Sequence, residues 1–282
     1  MRIMVTGATG LLGQEVVREV RARGHECLGV STADFDLRDA GAVRRAVLAC
    51  RPQAIIHCAA WTAVDLAESE PHRCAEVNAV GTLHLARAAR DVGAKLLYIS
   101  TDYVFDGSGD APHETDERTA PLNVYGLSKL QGEEAIRGVM SRYFILRTSW
   151  VFGKGGPCFV GAMLRLGRER AYVPVVRDQV GAPTYAVDLA ALIADMIVTE
   201  KYGVYHAANE GSCTFAELAQ MVMRADGSRC RIQPITTEEY GAAARRPRNS
   251  RLSMRSLDEN GFRRLPPWEN ALHRYLDEMK MK

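Results

Sequence analysis

The sequence predicts a doubly wound α/β fold built on a parallel β-sheet. Short apolar runs alternate with helical stretches through roughly the first 200 residues, as in repeated β-α-β units. The apolar runs lack strict polar alternation, which is typical of strands buried on both faces of a parallel sheet. A glycine-rich segment also joins the first apolar run directly to the first helical stretch. Together these observations predict helices packed on both faces of the sheet.

The expected strands and helices follow one another along the chain. Strands are expected at residues 2–6, 26–30, 54–57, 95–100 and 143–148, with a further strand at 203–206. Helices are expected to begin near Leu11, Ala40, Pro71 to Asn78, Val124 and Ala186. Each crossover returns the chain to the same edge of the sheet, which is where ligands bind in such folds.

Composition and charge are those of an ordinary globular protein. The 282 residues are 47% apolar and 25% charged, and 36 basic against 34 acidic residues leave a net charge of +2. This balance requires neither nucleic acid nor an anionic membrane as a partner, and no apolar run approaches the ~20 residues of a membrane helix. The seven cysteines are scattered, which indicates reduced thiols and a cytoplasmic protein.

Three glycines follow the first strand at intervals of three residues. Gly7 is expected to make the tight turn, Gly10 to admit a pyrophosphate, and Gly13 to let helix and strand pack closely. The helix N-terminus then faces the phosphates. Such a turn can also be only a demanding connection, but its place at the first strand favours a dinucleotide cofactor. The contact residues expected here are Gly7, Thr9, Gly10, Leu11, Leu12 and Gly13.

The end of the second strand does not reveal which nicotinamide cofactor is used. Ser31, which is expected beside the cofactor, is neither an acid for a free ribose nor a base for a ribose phosphate. Asp36 and Leu37 resemble the acid-plus-aliphatic pair that holds adenine in this kind of fold, although an acid in a loop is often only solvated. NADH and NADPH therefore both stay open, and dual use is plausible.

Small residues after the third long strand extend the predicted cofactor site. Ala59, Ala60 and Thr62 would let the chain pass close to the nicotinamide ribose, although a tight strand exit would use the same residues. Asn78 lies in a helical stretch from which its amide can brace this loop. An ordinary surface amide is the alternative for Asn78.

Tyr125, Lys129 and Thr101 carry the predicted chemistry. Residues four apart on a helix are neighbours, so the Lys129 cation can lie beside Tyr125 and favour its phenolate. Thr101 closes the fourth long strand and can donate to a substrate carbonyl oxygen. The set predicts hydride transfer from a nicotinamide to a ketone, with Tyr125 protonating the alkoxide and Lys129 anchoring the ribose and tuning Tyr125.

Two structural units are expected. Residues 1–150 with about 173–208 are assigned to a Rossmann-type dinucleotide-binding domain. About 151–172 with 209–282 are assigned to a smaller C-terminal substrate-binding domain, because the sequence becomes rich in arginine and proline there.

Longer motifs are shared with a known family. They lie at residues 62–65, 67–71, 100–107, 121–126, 147–152, 178–184 and 246–250. The chain resembles extended short-chain dehydrogenases/reductases over nearly its whole length, and more closely the dTDP-4-dehydrorhamnose reductases. This resemblance implies NAD(P)H-dependent reduction of a dTDP-linked 4-keto-6-deoxyhexose, dTDP-4-dehydro-6-deoxy-L-mannose, at its C4 ketone to give dTDP-L-rhamnose.

The resemblance also implies roles for individual residues. The implied catalytic residues are Thr101, Tyr125 and Lys129, and the implied substrate contacts are Thr101, Asp102, Tyr103, Trp150 and Arg246. An indole such as that of Trp150 can equally be a core residue. The arginines at 245, 246, 248 and 251 could meet the substrate diphosphate or form a solvated basic loop.

The acidic residues of the C-terminal region bear on metal binding and on the oligomeric state. Some similar proteins pair through a metal bound by glutamates, whereas this chain offers only Asp188, Asp277 and Glu278 as loose candidates in the matching region. No metal is therefore expected in catalysis. The chain is expected to be a monomer or a homodimer.

Two other functions stay open. Relatives with this fold serve as NADP-binding regulatory subunits without turnover, although these typically lack one of the three catalytic residues that this chain has. An epimerase, or a reductase acting on another nucleotide sugar, would use the same tyrosine and lysine. A dehydratase would need an adjacent pair of acids, which Asp102-Tyr103 does not supply.

Overall fold

The computed structural model describes residues 1–280, so Met281 and Lys282 of the predicted second domain lie outside the described residues. The strands are β1 (Arg2–Thr6), β2 (Glu26–Val30), β3 (Ala54–His57), β4 (Lys95–Thr101), β5 (Tyr143–Thr148), β6 (Val151–Phe152), β7 (Tyr172–Val176), β8 (Val180–Gly181), β9 (Thr184–Tyr185), β10 (Gly203–His206), β11 (Asn209–Glu210), β12 (Cys213–Thr214), β13 (Arg231–Ile235), β14 (Asn249–Ser250) and β15 (Leu265–Pro267).

The helices alternate with these strands. They are α1 (Leu11–Ala22), α2 (Ala40–Cys50), α3 (Val64–Ser69), α4 (Pro71–Ala75), α5 (Gly81–Asp91), α6 (Val124–Arg137), α7 (Phe159–Glu169), α8 (Ala186–Ile197), α9 (Phe215–Asp226), α10 (Thr237–Tyr240), α11 (Arg255–Glu259) and α12 (Trp268–Lys280). A π-helical turn (Glu76–Val80) joins α4 to α5, and a 3-10 turn (Asp102–Val104) follows β4.

A six-stranded parallel sheet with the order β10-β5-β4-β3-β1-β2 forms the centre of the molecule. The predicted strands are all found, and β4 continues one residue further than expected, to Thr101. Helices α1 and α8 pack together on one face, and α2 and α5 on the other. The predicted doubly wound parallel fold is therefore confirmed.

Polar side chains fix where several helices begin. Asp39 accepts hydrogen bonds from the first turn of α2, and Asn123 accepts one from the Gly126 amide at the start of α6, at 2.7 Å. Thr214 and Glu217 form a reciprocal capping box at α9. These caps satisfy backbone N–H groups that a helix leaves unpaired at its N-terminus.

The later part of the chain builds a second buried cluster. Helices α7, α9 and α12 pack their apolar faces there, and β7 pairs in parallel with β13. The predicted division at residue 173 would assign most of β7 to the first unit, although its partner strand belongs to the second. The two-unit division stays a prediction. Among residues 1–280, none of the helices combines the length and apolar character needed to cross a membrane.

A buried ion pair connects three elements beneath the cleft edge of the sheet. Arg147 of β5 donates to both carboxylate oxygens of Glu133 on α6, at 2.9 and 2.8 Å. Ser100 of β4 donates to the same carboxylate at 2.6 Å. The side chains of Arg147 and Glu133 are 2% and 0% exposed, so removing one charge would leave the other buried without its partner.

Glu133→Gln should therefore destabilise the fold strongly. The variant keeps the shape of the side chain but leaves the Arg147 cation unneutralised, so we expect a loss of about 3–5 kcal/mol in the free energy of unfolding. Urea unfolding followed by circular dichroism measures this loss. Glu134→Gln, on the exposed side of the same helix, is the matched control and should change stability by about 0.5 kcal/mol or less. Equal losses in the two variants would contradict the structural role of the ion pair.

Candidate active site

The C-terminal ends of the central strands open into one cleft of about 1000 Å³. Small-molecule sites typically measure roughly 300–1,000 Å³, so this cleft has room for a dinucleotide and a second ligand. Most predicted site residues line it. They are Gly7, Thr9, Gly10, Leu11, Leu12, Gly13, Ser31, Asp36, Leu37, Ala59, Ala60, Thr62, Thr101, Asp102, Tyr103, Tyr125, Lys129 and Trp150.

The glycine turn after β1 fits the pyrophosphate of a dinucleotide. Gly7 has a φ of +68°, and a Cβ there would lie 2.6 Å from the backbone nitrogen of Ala59. Gly10 is the N-cap residue of α1 and has no side chain to cover the first helical turn. The backbone N–H groups of that turn are consequently open to an anion, and the helix dipole favours negative charge at the same point.

The adenosine end of the cleft contains a basic residue that sequence reasoning missed. Arg38 lines the cleft and forms a bidentate ion pair with Asp36, with a shortest N–O distance of 2.6 Å. The hydrogen bonds from Arg38 lower the pKa of Asp36. Ser31 instead donates its backbone N–H to Asp34, at 2.8 Å. The available signal was an arginine directly after the Asp36-Leu37 pair, but sequence alone did not show that it faces the cleft.

Asn78 lies behind the cleft wall. It is buried in the π-helical turn, accepts a hydrogen bond from the Trp61 N–H at 2.8 Å, and donates to Ser128 on α6 at 2.9 Å. Its amide also donates to the Trp61 carbonyl oxygen at 3.1 Å. The side chain thus ties the loop after β3 to the helix that carries Tyr125 and Lys129. It can influence a cofactor through this loop.

Thr101, Tyr125 and Lys129 meet in the cleft from two elements. Thr101 ends β4, whereas Tyr125 and Lys129 lie one turn apart on α6. The Lys129 ammonium is buried and lies 4.0 Å from the centre of the Tyr98 ring. Burial lowers the pKa of Lys129 to about 7, while the negative charge of Glu133 opposes this shift.

The pKa of Tyr125 shifts in the opposite direction to the one the sequence suggested. Burial raises it, the Asp102 carboxylate raises it further, and the neighbouring Thr101 hydroxyl lowers it in part. The expectation that Lys129 would lower the pKa of Tyr125 was therefore wrong, because desolvation of the phenolate dominates. Tyr125 consequently keeps its proton at neutral pH, as a proton donor must.

Asp102 lies directly beside the catalytic candidates. The Thr101 hydroxyl donates to Asp102 Oδ1 at 2.9 Å and accepts from the Tyr103 N–H at 3.2 Å. The Tyr103 ring meets the Tyr125 ring edge to face, with centroids 6.0 Å apart. The carboxyl group is buried, and this burial raises the pKa of Asp102 to about 6.

An aromatic shelf closes the other side of the cleft. Trp150 stacks on Phe215 with ring centroids 3.6 Å apart, and both residues line the cleft. The Trp150 backbone has a φ of +47°, which is costly for a bulky residue and is typical of functional positions. Sequence reasoning found Trp150 but missed Phe215, because the two residues are brought together only by the packing of α9.

The basic loop after α10 is largely occupied by ion pairs and hydrogen bonds within the protein. Arg246 binds Asp65 with N–O distances of 3.0 and 2.7 Å and does not line the cleft wall. Arg248 pairs with Glu238, and Arg251 donates to Asn249. The Arg246–Asp65 pair connects the loop to the start of α3. Arg246 is also near enough to Tyr103 for its positive charge to lower the pKa of that phenol in part.

The acidic residues considered for a metal are engaged elsewhere. Asp188 pairs with Arg274 at 2.6 Å, and Glu278 pairs with Lys154 at 3.4 Å. Across the part of the chain that the structure describes, there is no group of three or more His, Cys, Asp or Glu side chains arranged to hold a metal ion.

The fold and the cleft together define an NAD(P)-dependent short-chain dehydrogenase/reductase. A family model described as the RmlD substrate binding domain matches residues 1–281. The chain belongs to this family of dTDP-4-dehydrorhamnose reductases.

Individual relatives match this chain over nearly its whole length. It is 42% identical to dTDP-4-dehydrorhamnose reductase of Streptomyces griseus over 278 residues, which cover 96% of this chain and 91% of the relative. A crystal structure of the Bacillus anthracis dTDP-4-dehydrorhamnose reductase in complex with NADP superposes with a TM-score of 0.96 at 42% identity, covering 98% and 99% of the two chains. A Clostridium acetobutylicum orthologue superposes with a TM-score of 0.97 at 36% identity, covering 100% of both.

Cofactor affinity should weaken as the pH rises. The pKa of Lys129 is lowered to about 7, so the fraction of charged ammonium falls as the pH increases through 7. If NADPH binds the ammonium form, its dissociation constant should rise by up to about tenfold per pH unit above 7. Fluorescence titration of NADPH between about pH 6 and 9 measures this. Lys129→Met should bind more weakly and lose this dependence, and an unchanged pH profile in that variant would contradict the assignment.

Proposed function

We propose that this protein is an NADPH-dependent oxidoreductase that reduces the C4 ketone of dTDP-4-dehydro-6-deoxy-L-mannose to give dTDP-L-rhamnose. One observation carries the proposal: Thr101, Tyr125 and Lys129 line the same cleft as the glycine turn. The dTDP-4-dehydrorhamnose reductase activity named for relatives 36–42% identical over nearly the whole chain supports the substrate assignment.

Tyr125 and Lys129 have different roles in the proposed reduction. Bound NADPH supplies the hydride. Tyr125 holds a proton that it gives to the substrate oxygen as the ketone becomes an alkoxide, and its raised pKa keeps that proton in place until then. Lys129 anchors the nicotinamide ribose and places a positive charge near the developing anion.

The two ends of the cleft suit the two ligands. The glycine turn and the open N-terminus of α1 would hold the cofactor pyrophosphate. We assign the nucleotide sugar to the side formed by Tyr103 and the Trp150–Phe215 shelf, since flat aromatic surfaces bind bases and sugar faces. Arg246 would contact the diphosphate only by exchanging its partner Asp65 for phosphate oxygens.

Arg38 is our candidate for recognising the ribose phosphate of NADPH. Its guanidinium group lies in the cleft wall beside the predicted adenine-binding pair, and its partner Asp36 is exposed enough to be displaced. Guanidinium groups bind phosphate with two parallel hydrogen bonds.

The residues that line the cleft all come from one chain, so the proposed function is compatible with a monomer or a homodimer.

Arg38→Ala should change the choice of cofactor. We expect the KM for NADPH to rise about tenfold, because one charge-assisted contact of about 1.5 kcal/mol is lost, while the KM for NADH changes little. Steady-state kinetics with both cofactors give the ratio. Arg44→Ala, on the outer part of α2, is the control and should leave both values unchanged. A parallel loss with NADH would argue that Arg38 has a structural role.

Tyr125→Phe tests the proposed proton donor. Removing one hydroxyl should lower kcat by about 10²–10⁴-fold, the usual contribution of a general acid, because the alkoxide would have no positioned proton. The NADPH dissociation constant should stay within about twofold, a change of about 0.4 kcal/mol. Stopped-flow absorbance and fluorescence titration measure the two quantities. Turnover close to that of the parent protein would remove Tyr125 from the mechanism.

The decisive experiment for the function follows reduced nicotinamide absorbance while dTDP-4-dehydro-6-deoxy-L-mannose is generated in the same cuvette. Stoichiometric loss of NADPH together with dTDP-L-rhamnose in the product would support the proposal. NADPH binding without any turnover would favour a regulatory subunit or a different ketosugar nucleotide.

A further inference from the structure

Asp102 is a buried acid whose second oxygen is left without a partner. It is the first residue of the 3-10 turn after β4, is 3% exposed, and lines the cleft. Its Oδ1 atom accepts from the Thr101 hydroxyl, whereas Oδ2 is buried without a hydrogen bond. Burial of an ionised carboxylate with one unpaired oxygen is costly. Buried unsatisfied atoms of this kind call for a functional explanation.

The groups that surround Asp102 do not neutralise it. The Ser250 hydroxyl of β14 is near enough to lower the pKa of Asp102 in part, although Oδ2 has no hydrogen-bond partner. Tyr125 faces Asp102 from α6 and Tyr103 follows it in the turn, and all three side chains are neutral near pH 7. The nearby cation of Arg246 lies toward Tyr103 and is already matched by Asp65. Burial therefore raises the pKa of Asp102 to about 6, and part of the population is protonated close to neutral pH.

The Thr101 hydroxyl lies between Asp102 and the proposed proton donor. It donates to Asp102 Oδ1 at 2.9 Å, and it is near enough to the Tyr125 phenol to lower the pKa of that group in part. A threonine hydroxyl carries a single proton. While Asp102 is ionised, that proton is directed to Asp102. Once Asp102 is protonated, its own O–H can donate to Thr101, and the threonine proton is free to turn toward Tyr125 or the substrate oxygen.

We propose that Asp102 is the proton reservoir of the reaction and that it reprotonates Tyr125 through the Thr101 hydroxyl. The inference rests on the proposed function. After Tyr125 gives its proton to the alkoxide, the O–H bond of Thr101 breaks as a new O–H bond forms on the Tyr125 phenolate. The O–H bond of Asp102 breaks in turn as the Thr101 hydroxyl is restored. The net result is one proton moved from the Asp102 carboxyl to the product alcohol, and solvent later restores the carboxyl.

The pH dependence of turnover tests this relay. The wild-type kcat should fall as the pH rises from about 5 to 8, because Asp102 loses its proton, with a midpoint at or above about 6. Asp102→Asn has the same shape but cannot transfer a proton. We expect it to lower kcat about tenfold at the low-pH end, a change of about 1.4 kcal/mol in the barrier, and to remove the loss of kcat that is centred near pH 6.

The control and the direct measurement separate this role from simple positioning. Asp106→Asn removes an exposed carboxylate four residues away and should keep the wild-type profile. In the wild-type protein, NMR of ¹³C-labelled aspartate should show one carboxyl that titrates near pH 6 and is missing in Asp102→Asn. If the variant does not fold, the wild-type titration alone still tests the relay, because a spectrum with no aspartate carboxyl that titrates near pH 6 would overturn it.

The outcomes distinguish the relay from the function. A wild-type protein that turns over while Asp102→Asn keeps the same pH profile overturns the relay alone. An Asp102 carboxyl that is already ionised at about pH 5, near the ordinary aspartate range, overturns it as well. Failure of the wild-type protein to consume NADPH overturns the proposed function and the relay with it.

Discussion

The active arrangement depends on one buried ion pair. Glu133 binds Arg147 and Ser100 at once, so α6, β5 and β4 are fixed relative to one another with N–O and O–O distances of 2.6 to 2.9 Å. Thr101 is the next residue after Ser100, and Lys129 lies one turn before Glu133 on the same helix. The ion pair therefore sets the distance between the strand end and the helix that carry the proposed chemistry. Its desolvation makes it costly to break, which is why it can act as a rigid spacer.

Burial of the titratable side chains reduces the charge of the active site. The pKa of Lys129 is lowered and the pKa values of Asp102 and Tyr125 are raised, so each group is driven toward its neutral form. The phosphate groups of a ligand would instead bind at the glycine turn and the uncapped N-terminus of α1, where the helix dipole stabilises negative charge. The centre where hydride and proton are exchanged therefore carries little charge of its own, apart from the fraction of Lys129 that stays protonated near pH 7.

Much of the fold and part of the site could be predicted from local patterns. The strand bounds follow from apolar runs, and Gly7 follows from the need for a positive φ at a crowded turn. Arg38 and Phe215 could not be predicted in this way, and the choice between a loop brace and a surface amide at Asn78 also needed the structure. Each depends on which distant segment packs beside it, as when α9 brings Phe215 onto Trp150 at 3.6 Å. The direction of the pKa shift at Tyr125 also needed the structure, since sequence spacing shows a neighbouring cation but not the depth of burial.

The parallel sheet, the dinucleotide turn and the residue types of a ketone reductase could all be predicted from the amino-acid sequence, because they depend on periodicity and on side-chain chemistry at short spacing. The burial of Asp102 beside Thr101 with an unpaired oxygen, and the ion pair that holds Arg246 to Asp65, are visible only in the folded molecule. Those facts arise from contacts between segments far apart in the chain. Burial and charge compensation are properties of the packed molecule, and they set which protons each group can hold.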